Sequence, residues 1–150
     1  MRIVPDREAM HVLGTELAAG LRAGDLVVLV GELGAGKTTL AQGIGAGLRV
    51  RGPITSPTFV LARLHPSLVG GPALVHVDAY RLTSSVEVED LDLEADLADS
   101  VTVVEWGEGL VEGLAPDRLV VRIDRSTGSA GGERREVTVT GVGARWVGWA

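Results

Sequence analysis

One stretch constrains this chain more than any other. Gly31-Glu-Leu-Gly-Ala-Gly36-Lys37-Thr38 fits the pattern G-x-x-x-x-G-K-[ST]. Its glycines let the backbone wrap closely and take positive φ angles. The residue frequencies of this chain give about 0.002 chance matches to such a pattern. The flanks agree with it. Leu26-Val-Val-Leu-Val30 reads as a strand buried on both faces, and Leu40, Ile44 and Leu48 recur at helical spacing after the turn. A strand, a glycine-rich turn and a helix N-terminus in that order attract anions through exposed N–H groups. The bland alternative is a turn that only caps a helix. Of the 14 basic residues 13 are Arg, and the one Lys is Lys37. A slim ammonium fits among backbone amides where a planar guanidinium does not.

The rest of the chain fills in a fold class. Residues 7 to 21 read as an amphipathic helix capped by Asp6, with Met10, Leu13, Leu17 and Leu21 on its core face. Phe59-Val-Leu-Ala-Arg63, Ala73-Leu-Val-His-Val77 and Val101-Thr-Val-Val104 read as strands, and Ser84 with Glu87 as a capping box that opens a short acidic helix. Leu119-Val-Val-Arg-Ile123 and Glu136-Val-Thr-Val-Thr140 flank the flexible loop 126–132 as an antiparallel pair. The expectation is an α/β fold of P-loop type, a mostly parallel sheet flanked by helices with antiparallel C-terminal edge strands, in one domain spanning 1–150.

Composition narrows the function classes. There is no cysteine, so disulfides, thiolate zinc sites and thiol nucleophiles are excluded. The longest aliphatic run, Leu26 to Val30, is far short of the ~18 apolar residues of a membrane span, and no leader opens the chain. A cytoplasmic protein is expected. The net charge of -6 is uneven: Leu82 to Asp117 holds 11 acids and no Lys or Arg. That stretch reads as a solvated helix face or as a docking face for a basic protein partner, and is a poor nucleic-acid surface. Arg118, Arg122, Arg125, Arg134, Arg135 and Arg145 are the late residues that could touch a phosphate, without the aromatic interleaving of a stacking platform.

With no Asn and its one Lys already used, the chain has no Asn-Lys-x-Asp guanine reader, which favours ATP. Lys37 would reach the β- and γ-phosphates and the Thr38 hydroxyl would bind Mg2+. A carboxylate is needed beside that hydroxyl, at the C-terminal end of a neighbouring strand. Asp78 and Glu105 both end strand patterns. One would hold the metal while the other orients the attacking water, and the residues alone do not divide the roles. Thr55-Ser-Pro-Thr58 reads equally as a phosphate-sensing switch segment or as a plain Pro turn. Arg81 stabilises transferred charge or pairs with the acidic helix. His11, His65 and His76 show no metal-ligand spacing and receive no role.

Gly-Glu-Leu-Gly-Ala-Gly-Lys-Thr-Thr (31 to 39), Ser-Pro-Thr-Phe (56 to 59), His-Val-Asp-Ala-Tyr-Arg-Leu (76 to 82) and Val-Glu-Trp (104 to 106), in this order and spacing, closely resemble the TsaE (YjeE) family over roughly residues 5 to 140. The resemblance implies a small bacterial P-loop ATPase required for threonylcarbamoyl modification of adenosine 37 in tRNA. It implies that Gly34, Ala35, Gly36, Lys37, Thr38 and Thr39 bind nucleotide. It further implies that Thr38 and Glu105 hold Mg2+, and that Asp78, Glu105 and the switch-like Thr58 serve catalysis. Tyr80, Arg81 and Trp106 match positions lining the site, and Arg134-Arg135 resembles a late Arg that contacts nucleotide. The family acts with a TsaD–TsaB heterodimer, meets tRNA through that complex and does not itself transfer the group. A monomer or weak oligomer, slow alone and stimulated by its partner, is expected. The sequence departs from the family at Val77, Ala79 and Gly107, which change packing, and at Met10, which removes a frequent Thr from the first helix. Two other functions fit the same core: a small-molecule kinase, against which the lack of a basic lid between Leu82 and Asp117 counts, and an ATP-dependent binding clamp with incidental hydrolysis.

Overall fold

Among the described residues seven strands pair into one sheet, and apolar periodicity accounts for most of them. In chain order they are β1 (Arg2–Val4), β2 (Leu26–Gly31), β3 (Ala62–His65), β4 (Ala73–Asp78), β5 (Ser100–Glu105), β6 (Arg118–Arg125) and β7 (Arg135–Val142). Helix α1 (Arg7–Ala18) precedes β2 and α2 (Lys37–Leu48) follows it. The structure is a computed structural model that describes residues 2–31, 36–52, 54, 62–78, 99–105, 117–125 and 134–147. The expected acidic helix from Ser84 and the loop 126–132 lie outside them.

The strand order is β1-β7-β6-β2-β5-β4-β3. β6, β2, β5 and β4 run parallel in the centre. β7 and β1 add antiparallel strands on one side and β3 on the other. The α/β class with a parallel centre and an antiparallel C-terminal edge is therefore present. Two details differ from the sequence reading. β6 joins the parallel centre beside β2, so the antiparallel edge starts only at β7. The strand expected over Phe59–Arg63 is observed as Ala62–His65, and the residues before it lie outside the described set.

Helix α1 begins as its sequence dictates: Asp6 is the N-cap and its Oδ1 accepts the Ala9 N–H at 2.8 Å. Met10, Leu13, Leu17 and Leu21 are all buried. The helix stops at Ala18 rather than 21, because Gly20 and Leu21 donate to Leu17 and Ala18 in tighter three-residue turns. Both helices pack on one face of the sheet, against Val27, Leu29, Leu74, Val101, Val103, Leu119, Val121 and Ile123. Val28, Val75, Val77 and Val104, on the opposite face by strand alternation, are buried as well. Among the described residues no helix is long and apolar enough to cross a membrane.

α1 and α2 touch backbone to backbone through glycine. A Cβ on Gly43 would lie 2.2 Å from the His11 carbonyl oxygen and 3.0 Å from Gly14 Cα. Backbone atoms cannot rotate aside. Replacing glycine inside a helix normally gains up to about 1 kcal/mol, but forcing two helices apart costs about 1–3 kcal/mol or more. Gly43→Val is therefore expected to lower the stability by about 1–3 kcal/mol, read as a lower urea midpoint at unchanged slope.

Candidate nucleotide site

The parallel strands deliver their C-terminal ends to one edge of the sheet, where open α/β sheets bind ligands. Gly31 ends β2, Asp78 ends β4 and Glu105 ends β5, with Asp78 directly opposite Glu105 in the β4–β5 register. The glycine-rich residues of the motif follow β2, and α2 starts from Gly36, whose φ of 113° lies in the left-handed region that a side chain resists. Met10 of α1 backs this position, 3.3 Å from where a Gly36 Cβ would stand. Met10 thus supports the turn by packing.

The first turn of α2 carries the Lys and Thr of the motif. Lys37 is 4% exposed, and its Nζ donates to the Gly31 carbonyl oxygen at 2.7 Å. The ammonium thereby meets the end of β2. Thr38 and Thr39 are half-buried beside it. Thr38 Oγ1 lies 3.4 Å from Glu105 Oε1, at the long limit of a hydrogen bond, so neither oxygen is fully satisfied by the other. Glu105 is 5% exposed. A buried carboxylate next to a hydroxyl is a hard-oxygen donor set of the kind Mg2+ takes, with one or two carboxylates and the rest from phosphate and water. The two residues fit that ion.

Glu105 has a partner that sequence reasoning missed. His76, fully buried, pairs through Nε2 with Glu105 Oε2. Strand alternation puts His76 and Asp78 on one face of β4, and the register puts Glu105 on the same face of β5. The i, i+2 spacing of His76 and Asp78 was therefore the available signal, and metal-ligand spacing was the wrong test. His65 behaves differently. Burial pushes its imidazole below the ordinary histidine range, partly offset by its Nδ1 bond to the Arg51 carbonyl.

The remaining expected site residues divide by position. Gly34, Ala35, Thr58, Tyr80, Arg81 and Trp106 lie outside the described residues, as does the side chain of Asp78. Arg135 opens β7 at the ligand end, with Arg134 just before it, since Arg135 pairs with Arg125 at the end of β6. Arg118 and Arg145 do not belong to this edge. Arg118 starts β6 at the level of Leu26 and Val27, the opposite end of the sheet. Arg145 donates to Asp25 at 3.0 and 3.1 Å and to the Gly20 carbonyl at 2.8 Å, and lies over the Trp146 ring at 4.2 Å. It fastens the C-terminal turn to the loop before β2. Arg145→Ala is expected to cost about 1.5–3 kcal/mol, the range for hydrogen bonds to a charged group, measured by chemical denaturation. Nucleotide affinity should not move.

A parallel-centred sheet whose middle strand is followed by a glycine-rich sequence and a lysine-bearing helix, with acidic residues ending the next two strands on one side, defines an α/β protein of P-loop type. A family model described as threonylcarbamoyl adenosine biosynthesis protein TsaE matches residues 4–137. The chain belongs to the TsaE family. It is 66% identical over 138 residues to the tRNA threonylcarbamoyladenosine biosynthesis protein TsaE of Streptomyces coelicolor, covering 91% of this chain and 93% of that protein. The Bacillus subtilis protein of the same name is 38% identical over 130 residues, covering 86% of this chain and 77% of that one. The crystal structure of Bacillus subtilis YdiB matches with a TM-score of 0.75 at 31% identity, over 97% of this chain and 87% of that one.

Proposed function

We propose that this chain binds ATP with Mg2+ and hydrolyses it. The cycle supports the machinery that makes threonylcarbamoyladenosine at position 37 of tRNA, without transferring the group itself. The observation that carries the chemistry is the placement of a buried Lys37 ammonium and a Thr38–Glu105 oxygen pair at one strand-end edge. The tRNA role rests on family membership.

Each residue then has a task. Lys37 exchanges or shares its Gly31 carbonyl contact for the β- and γ-phosphate oxygens, acting as a point charge where phosphate charge concentrates. Main-chain N–H groups of the turn and the start of α2 bind the remaining phosphate oxygens. Thr38 and Glu105 hold Mg2+, which when bound neutralises phosphate charge. Asp78, opposite Glu105 in the register, orients the attacking water and accepts its proton. Thr58 reports the γ-phosphate. Gly34, Ala35 and Thr39 complete the cradle.

The partner in this reading is a TsaD–TsaB heterodimer, and tRNA is met through it. The test is ATP hydrolysis by the purified chain, alone and with that heterodimer, in Mg2+ and in EDTA. A slow Mg2+-dependent rate that rises with the pair is expected. ATP binding without any hydrolysis, with or without the pair, overturns the ATPase reading and leaves a binding clamp.

A further inference from the structure

We propose that His76 is a positioning residue for Glu105. Its imidazole fixes one carboxylate oxygen so that the other is held toward Thr38. The inference rests on the proposed Mg2+–nucleotide reading of this edge.

The position itself is the first argument. His76 lies in the middle of a parallel sheet, on the face where Leu74, Val101 and Val103 form the apolar core. An aliphatic side chain would pack there with no polar group to satisfy. The imidazole instead brings two ring nitrogens into the interior, and its Nδ1 has no hydrogen-bond partner among the described residues. Burying a polar atom without a partner is costly. A histidine tolerated there has its value at the other nitrogen, and that nitrogen meets Glu105 Oε2. An ionised carboxylate only accepts, so Nε2 carries the proton and Nδ1, the nitrogen without a partner, is the one that does not need to donate.

The second argument is the division of the carboxylate. Oε2 is taken by His76, while Oε1 stands 3.4 Å from the Thr38 hydroxyl. A glutamate has three side-chain torsions, and alone it could turn its oxygens away from that hydroxyl. With one oxygen tied to a ring fully enclosed by the sheet, the carboxylate plane is set before any ligand arrives. The register makes this reach possible. His76 pairs with Val103, so it sits one pleat below Glu105 on the neighbouring strand and on the same face. Groups that orient a metal-binding side chain in this way typically contribute 10–100-fold to metal affinity or activity.

The test uses His76→Leu and His76→Gln in the full chain. Gln offers an N–H donor near the position of Nε2, and Leu offers none. The readouts are the Mg2+ concentration that half-saturates ATP hydrolysis, the affinity for ATP in EDTA, and the thermal melt. His76→Leu is expected to raise the half-saturating Mg2+ about 10–100-fold. Its affinity in EDTA should stay within about twofold of the unsubstituted chain, since Lys37 and the turn are untouched. His76→Gln should recover most of the Mg2+ requirement. A folded His76→Leu chain with an unchanged Mg2+ requirement overturns the proposal, as does a Gln variant no better than Leu. Should the Leu variant fail to fold, 15N spectra of the imidazole in the unsubstituted chain decide. A protonated Nε2 whose resonance moves in Glu105→Gln supports the bond, and a ring protonated at Nδ1 alone, or blind to Glu105, refutes it. These spectra need no nucleotide, so they stay readable even if the unsubstituted chain shows no Mg2+-dependent ATP binding. That last result would instead overturn the site reading on which the proposal rests.

Discussion

Lys37→Ala is expected to abolish useful nucleotide binding while leaving the fold in place. Lys37 is 4% exposed and its Nζ is held 2.7 Å from the Gly31 carbonyl oxygen, so the ammonium is set at the end of β2 before a ligand arrives. Removing a buried charge from a charged partner costs about 2–5 kcal/mol, which is about 30-fold to several-thousandfold in Kd. Isothermal titration with ATP and Mg2+ reads this directly. Lys37→Arg should not rescue it: the site admits a slim ammonium, and a guanidinium is broader and planar. The Ala variant should melt close to the unsubstituted chain, because α2 keeps Leu40, Ile44 and Leu48 in the core. Normal ATP affinity in Lys37→Ala would remove the phosphate-loop assignment altogether.

The elements that frame this lysine were legible because their signals are local. Leu26 to Val30 is an uninterrupted, Val-rich aliphatic run bounded by Gly24-Asp25 and Gly31, the pattern of a strand covered on both faces. Met10, Leu13 and Leu17 repeat at the spacing of one helix face, and Asp6 caps where a cap is needed. What escaped was non-local. Arg2–Val4 is three residues long and becomes a strand only because β7, far along the chain, offers it an edge. β6 is parallel or antiparallel to its neighbour according to which strand it sits beside, and no property of Leu119 to Ile123 says that the neighbour is β2. Arg145 and Asp25 are 120 residues apart, and their pairing depends on the whole sheet being assembled. At the candidate site the start of α2 at Lys37 and the strand-end positions of Asp78 and Glu105 were readable from motif and strand pattern. The partner of His76 was not, because it depends on which carboxylate the β4–β5 register brings to the same face.

The same geometry makes Glu105 the second large lever. Its carboxylate has two jobs, one oxygen toward the Thr38 hydroxyl and the other accepting from His76, and different substitutions separate them. Glu105→Ala removes both and leaves the buried His76 donor without its acceptor, a loss of about 1–3 kcal/mol in stability. Hydrolysis should fall by about two orders of magnitude or more, as when a key electrostatic group at a reacting phosphate is lost. Glu105→Gln keeps the shape and can still accept from His76, so it should melt near the unsubstituted chain. In the proposed reading it loses the negative charge that would draw Mg2+ beside Thr38, so hydrolysis should fall by a similar factor. Binding of ATP in EDTA should survive in both, because Lys37 and the turn are unchanged. Asp78→Ala is expected to lower kcat about as far, yet with a near-normal Mg2+ requirement if Asp78 serves the water and not the ion. Single-turnover hydrolysis across a Mg2+ titration distinguishes the two carboxylates. Turnover of Glu105→Gln within about threefold of the unsubstituted chain, where a key electrostatic group predicts a loss of about 100-fold or more, would take the charge of Glu105 out of the chemistry. The buried carboxylate would then be a structural partner of His76, and the task of holding the metal would pass to Asp78.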